Sequence, residues 1–211
     1  VRWHGHSCFE IAGSVNVVTD PHDGASIGLP PPRAKADLVL ISHNHFDHNC
    51  VSAVSREDSS KIAEAVMTVE KGVRVEGITA DHDAEGGRKR GKITIFKFEL
   101  DGVSFCHLGD LGHSLDDTIV DRIGPVDVLF VPVGGTFTIG PHEAKQVVNA
   151  LAPKVAVPMH YRVPGLSISL LPVQRFLEEV KGSRVVQVGN EMEFVSDDLP
   201  EGGTEIWVFS S

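Results

Sequence analysis

Cysteine is scarce and unpaired in this chain. Its 211 residues hold three, Cys8, Cys50 and Cys106, and none sit in a C-x-x-C pair. An odd count without that spacing excludes a disulfide framework and a thiolate zinc module. Cys106 reads as a small core residue and Cys50 as pocket lining rather than a nucleophile. Free thiols suit a reducing compartment, so the cytoplasm is the expected location. Basic charge is also short: 19 Lys and Arg against 29 Asp and Glu leave a formal net charge of −10. Proteins that track phosphate backbones need a positive field, so no nucleic-acid partner is expected. An acidic surface gives no attraction to an anionic membrane either. No apolar run approaches bilayer length, and no basic segment followed by an apolar run opens the chain. Repeats and low-complexity linkers are missing too, and one domain over residues 1–211 is expected. A chain of this length buries a full core without a structural ion, which leaves metal free to serve chemistry.

What is there is mostly short β-type runs: 15–19, 38–42, 73–79, 93–99, 103–107, 126–131, 154–157, 184–188 and 205–209. Leu38-Val39-Leu40-Ile41 and Val128-Leu129-Phe130-Val131 are continuously apolar. Such runs belong to strands covered on both faces, which calls for helices outside the sheet. Three helices are legible. Ser114 is the expected cap of one that carries Ile119, Val120 and Ile123 on one face and stops at Gly124. Pro141 opens a second, with Ala144, Val147, Val148 and Leu151 at helical spacing. Pro172 opens a third through Val173, Phe176, Leu177 and Val180. The segment 62–66 predicts a weaker fourth. Two packed sheets with helices outside follow from this order.

Histidine concentrates where strands end. After the run 38–42 comes His43-Asn44-His45-Phe46-Asp47-His48. If strand geometry continues, His43 and His45 project to one side and can grip one cation. Asp47 and His48, at the turn, can face a second ion, and imidazole with carboxylate suits zinc, manganese or iron. Asp81-His82-Asp83, Asp110 and His160 also follow strand-like runs, and a shared rim of strand ends would gather them.

The spacing His43-x-His45-x-Asp47-His48, followed by His82, Asp110 and His160, resembles the signature of the metallo-β-lactamase superfamily. Trp3-His4-Gly5-His6-Ser7-Cys8-Phe9, Thr19-Asp20-Pro21, the run from His107 to Gly112, Val131 to Thr136 and Pro158-Met159-His160-Tyr161 extend the likeness along nearly the whole chain. They resemble the compact bacterial and archaeal branch of zinc-dependent hydrolases that includes L-ascorbate-6-phosphate lactonase. The resemblance implies an α/β (α+β) fold, a four-layer αβ/βα sandwich with metals at one edge of the sheets. It implies two ions, zinc first with manganese or iron as alternatives. His43, His45 and His82 would hold one; Asp47, His48 and His160 would hold the other, with Asp110 bridging. Asp20 would support the ligands from behind.

Asp47 is the candidate catalytic residue, orienting water or relaying its proton during hydrolysis of a small-molecule ester, lactone or phosphoester. His6 is expected near the pocket, in contact with substrate. His107 reads as core or as a support behind the ligands. Arg88 and Arg90, in the run Arg88-Lys89-Arg90-Gly91-Lys92, either clamp an anionic group of the substrate or form a solvated turn. Gly134-Gly135 lets the backbone pass close to the site or simply makes a turn. Three other functions stay open: an RNA-processing phosphodiesterase, an iron-dependent redox protein of the same fold, and a metal-binding scaffold without chemistry. The oligomeric state is left undetermined.

Overall fold

The computed structural model describes residues 1–210. Two sheets face each other. The first carries β1 (Arg2–Trp3), β2 (Phe9–Ala12), β3 (Asn16–Thr19), β4 (Ala36–Leu40) and β5 (Ser55–Ile62), side by side in that order. The second carries β6 (Met67–Glu70), β7 (Val73–Asp81), β8 (Lys92–Leu100), β9 (Val103–His107), β10 (Val128–Pro132), β11 (Val155–Met159), β12 (Arg184–Gln187) and β13 (Glu205–Val208), in the order β12-β13-β11-β10-β9-β8-β7-β6. Hairpin neighbours from β6 to β9 are antiparallel, whereas β9, β10, β11, β13 and β12 run parallel. Parallel pairs need crossovers, and the helices supply them. These are α1 (Asp117–Ile123) between β9 and β10, α2 (Pro141–Leu151) between β10 and β11, and α3 (Gln174–Glu179) before β12.

Alternation decides the layers. Val17, Leu38 and Leu40 turn inward with Phe9 against the second sheet, where Phe9 meets Phe130 at a ring separation of 4.4 Å. Truncating so buried a ring to alanine typically costs about 3–5 kcal/mol. Val18 and Val39 point the other way, into a smaller cluster with Cys8, Ala34, Ala36, Ile41 and Val54. This outer face is covered by loop residues and the 3-10 turn Val51–Ala53, and no α-helix among the described residues packs on it. On the far side of the second sheet α2 buries Ala144, Val147, Val148 and Leu151. The two facing sheets with helices outside the second are as expected, whereas the outer face of the first sheet carries loops and a 3-10 turn in place of helices among the described residues.

Three local expectations change. The segment 62–66 is not helical: β5 ends at Ile62, whose carbonyl accepts from Ile41 N at 2.9 Å. Gly77 N donates to the Val66 carbonyl at 2.7 Å, so sheet pairing on both sides outcompetes the helical spacing. The cap of α1 is Asp116 rather than Ser114, its carboxylate accepting from Ile119 N. Pro172 lies in a turn before α3, and its carbonyl accepts from Arg175 N. Among the described residues no helix is long and apolar enough to cross a membrane.

Candidate metal centre

Four strands of the two sheets end at one rim, and each is followed by a loop that delivers ligands. His43 to His48 follow β4, His82 follows β7, Asp110 follows β9 and His160 follows β11. The first of these segments is a loop, not extended strand. His43 and His45 meet because that loop turns back on itself: His48 N donates to the His45 carbonyl, and His43 Nε2 lies 2.9 Å from His45 Nδ1. Close backbone approaches let the loops converge. A Cβ on Gly112 would sit 2.2 Å from the His82 backbone, and one on Gly134 would sit 2.0 Å from the His160 carbonyl oxygen. His6, Asp20 and His160 all adopt positive φ, a conformation that non-glycine residues hold only where the surroundings impose it.

Two groups of ligand atoms result. His43, His45 and His82 form one, and His6, Asp47, His48 and His160 form the other, each with its ligand atoms within 4.8 Å of one another. Asp110 lies between them. Its Oδ2 is 3.3 Å from His160 Nε2, 3.6 Å from His82 Nε2 and 3.9 Å from His43 Nε2, and its Oδ1 is 3.4 Å from His48 Nε2. A carboxylate in that position can bridge two ions. His48 Nε2 and Asp110 Oδ1 are buried and have no hydrogen-bond partner among the described residues, an arrangement that is costly unless a ligand satisfies them. The donor set, imidazole nitrogens with carboxylate oxygens, fits divalent transition metals.

Supporting residues set which nitrogen each histidine presents. Asp20 is fully buried and accepts from Ser42 N at 2.7 Å and from Ser42 Oγ at 2.6 Å. His48 Nδ1 lies 3.0 Å from Asp20 Oδ2, and His43 Nδ1 lies 2.9 Å from Ser42 Oγ. Both rings thus donate from Nδ1 and turn Nε2 inward, towards the ligand clusters. The sequence reading placed Asp20 in this role but missed Ser42, whose position beside the motif was its only signal. His107 is also buried. Its Nε2 donates to the Ser7 carbonyl at 3.1 Å and its Nδ1 accepts from Gly109 N at 3.2 Å. With both nitrogens engaged it cannot ligate; it ties the turn at Ser7, before β2, to the Asp110 loop.

His6 is drawn in more deeply than the sequence suggested. Its Nε2 lies 3.0 Å from Asp47 Oδ2, its ring centre is 4.2 Å from that of His160 with the planes tilted by 40°, and none of it is exposed. Trp3 Nε1 and His160 N both donate to its carbonyl, which holds the Gly5-His6 turn against the site. Burial pushes the His6 imidazole down to about 3, and its neighbour His160 pushes the same way. Burial likewise lowers His43 to about 3. Neutral rings are the form that can ligate. His48 behaves oppositely: burial opposes its charge, yet Asp110, Asp20 and Asp47 outweigh it and raise its pKa. Asp110 is held below the usual carboxylate range because His160 and His48 offset its burial.

The clusters open into a cavity of about 490 Å³ whose lining includes His45, Asp47, His82, Asp110 and His160 from the clusters, with Phe46, Arg90, Phe137 and Ser167 to Ser169 completing it. Arg90 reaches it. Arg88 does not: its side chain is 77% exposed and pairs with Glu85 at 3.7 Å, which removes it from the candidate substrate contacts. Phe137 and the serines were not anticipated, since nothing in their local sequence marks them.

A family model described as the Beta-lactamase superfamily domain matches residues 1–160. The chain belongs to the β-lactamase superfamily. Within that superfamily it is 32% identical over 187 residues to a metal-dependent hydrolase of Thermococcus onnurineus, covering 76% of this chain and 84% of the relative. A metal-dependent hydrolase of Thermococcus kodakarensis is 30% identical over 220 residues, covering 92% of this chain and 98% of the relative. Among solved structures, a Thermotoga maritima protein described as a zinc-dependent hydrolase of the metallo-β-lactamase superfamily superposes with a TM-score of 0.79. It is 38% identical, with 99% of this chain and 98% of that one covered.

Proposed function

We propose that this member of the superfamily is a metal-dependent hydrolase that holds two divalent ions, zinc in the first instance, and cleaves a small-molecule ester, lactone or phosphoester. One observation carries the reading: two ligand clusters share Asp110, with buried polar atoms that have no hydrogen-bond partner among the described residues. The names of the relatives support the reaction class. A cavity of about 490 Å³ suits a small substrate, since small-molecule sites span about 300–1,000 Å³.

His43, His45 and His82 would hold one ion, and Asp47, His48 and His160 the other, with Asp110 shared. Bound there, the ions would supply Lewis acidity, lowering the pKa of water and stabilising negative charge on the substrate. Asp47 has the protein's part in the proton chemistry. Its Oδ2 is tied to His6, its Oδ1 has no hydrogen-bond partner among the described residues, and the residue lines the cavity. Oδ1 is therefore the atom placed to orient the attacking water and take its proton. Asp20 and Ser42 keep the imidazoles of His43 and His48 from rotating. Phe46 and Phe137 supply the aromatic part of the cavity lining.

Metal analysis of protein purified without chelator tests the proposal, together with hydrolysis of esters, lactones and phosphodiesters before and after stripping. Close to two equivalents of zinc, and activity lost on stripping and regained on re-addition, is the expected result. Failure to bind metal under replete conditions would overturn it, as would iron with oxygen uptake in place of hydrolysis. Asp47→Asn, with its ions retained, is expected to lower kcat about a hundredfold. Near-normal turnover in that variant would remove the proton role.

A further inference from the structure

The loop between β7 and β8 is built around one carboxylate. Asp83 follows His82 and is 8% exposed. Its Oδ1 accepts from Glu85 N at 2.8 Å and Gly87 N at 3.0 Å, and its Oδ2 accepts from Lys89 N at 2.9 Å and Arg90 N at 2.8 Å. The loop closes on itself where His82 N donates to the Gly91 carbonyl and Gly91 N to the Gly87 carbonyl. Four amide donors on one side chain make this a fixed structure rather than a loose solvated turn. Its last donor is the backbone of Arg90.

The basic run in this loop divides by partner. Arg88 and Lys89 turn to Glu85, and Lys92 turns to Asp81. Arg90 has no carboxylate partner among the described residues. Its guanidinium instead lies over the ring of Phe137, 4.6 Å from the centroid, on the cavity wall. Stacking engages one face of the guanidinium and leaves the N–H groups at its edge free to donate. An uncompensated cation beside a metal site, on a protein of net charge −10, has one obvious complement. Resting on the hydrolase reading above, we propose that the substrate carries an oxyanion, carboxylate or phosphate, away from the scissile bond. Arg90 binds that group, and Asp83 and Phe137 are the residues that position Arg90. Ser167 and Ser169 line the same cavity, the space where it would sit.

The test compares a neutral ester, 4-nitrophenyl acetate, with the carboxylate-bearing 4-nitrophenyl hemisuccinate, using the metal-loaded full chain. Wild type is expected to favour the hemisuccinate in kcat/KM. Arg90→Met should lower that preference about tenfold to a hundredfold, mainly through KM, as expected for hydrogen bonds to a charged group. Arg90→Lys should recover part of it, since charge remains and the fork is lost. Asp83→Asn should lower the same ratio through KM with metal content retained. Arg88→Met should leave the ratio as in wild type. Competitive inhibition by butyrate and by propylphosphonate separates the two anions, the relevant one being that whose inhibition constant rises more in Arg90→Met. A ratio unmoved by Arg90→Met, or moved equally by Arg88→Met, overturns the proposal while leaving the hydrolase reading intact. If fully metal-loaded wild type cleaves neither ester, the hydrolase reading fails for these substrates, and calorimetry of butyrate and propylphosphonate decides the subsite. Binding that depends on Arg90 keeps it; binding independent of Arg90, or none, overturns it.

Discussion

The two ligand clusters differ in how they are held. The first is three imidazoles, with His45 exposed at the cavity and His43 and His82 buried behind it. The second is buried throughout and mixes charge: Asp47 and His48 lie within 3.4 Å of each other, with Asp20 behind and His6 above. In the first cluster, losing a ligand takes away a lone pair. In the second it also strands a buried charge, so that cluster is part of the folding problem as well as the chemistry. Metal affinity and fold stability should therefore separate in one cluster and move together in the other.

The largest effect expected is on the residue the clusters share. Asp110→Ala should abolish retention of both ions and reduce turnover at least about a thousandfold, several kcal/mol of transition-state stabilisation being at stake. Elemental analysis of the purified variant reads this directly. Two equivalents retained would mean that the clusters are independent sites.

The second comparison is of His48→Ala with His45→Ala in chelated protein. Without His48, buried Asp20, Asp47 and Asp110 face one another uncompensated, and breaking such buried pairs costs about 3–5 kcal/mol. His45 is exposed, and its loss should change metal-free stability by no more than about 0.5 kcal/mol. Urea melts that show equal losses would erase the distinction drawn between the clusters.

The smallest effect concerns pH. Burial holds His6 and His43 at about 3, against an ordinary 6.5, and also lowers His22, His82 and His107. The unfolded chain takes up protons there that the folded chain refuses. The stability these groups allow is present above pH 6.5 and is lost as pH falls towards about 3. His48 works in the opposite sense, its contribution being present below its ordinary value and lost as pH rises through its elevated one. The lowered histidines outnumber it, so chelated protein should melt lower at about pH 5 than at about pH 7, and His43→Gln should narrow the gap. Identical melting at both pH values would contradict the neutral-ring account.

How much of this was legible varied along the chain for physical reasons. Strands β4, β10 and β11 were readable because strands covered on both faces carry near-continuous apolar runs. β5, Ser-Arg-Glu-Asp-Ser-Ser-Lys-Ile, carries a largely exposed polar pattern and was invisible, as was β1 with two residues. Its pairing with β4 comes from a neighbour distant in sequence, which no local window contains. The histidine motif announced its chemistry, because ligands so dense in one short segment rarely serve anything else. Asp83 could have been noticed as an Asp ahead of a Gly-Gly turn, but not its hold on Arg90.

Residue types and their spacing by themselves determined the donor chemistry, the apolar strands and the β-lactamase superfamily membership, since each is a property of short stretches. Tertiary structure alone decided that Arg90 faces the cavity while Arg88 does not, that His107 spends both nitrogens on the backbone, and that His6 stands against Asp47. Those outcomes depend on which loops meet at the rim. That meeting is set by the packing of two sheets whose strands lie far apart in the chain.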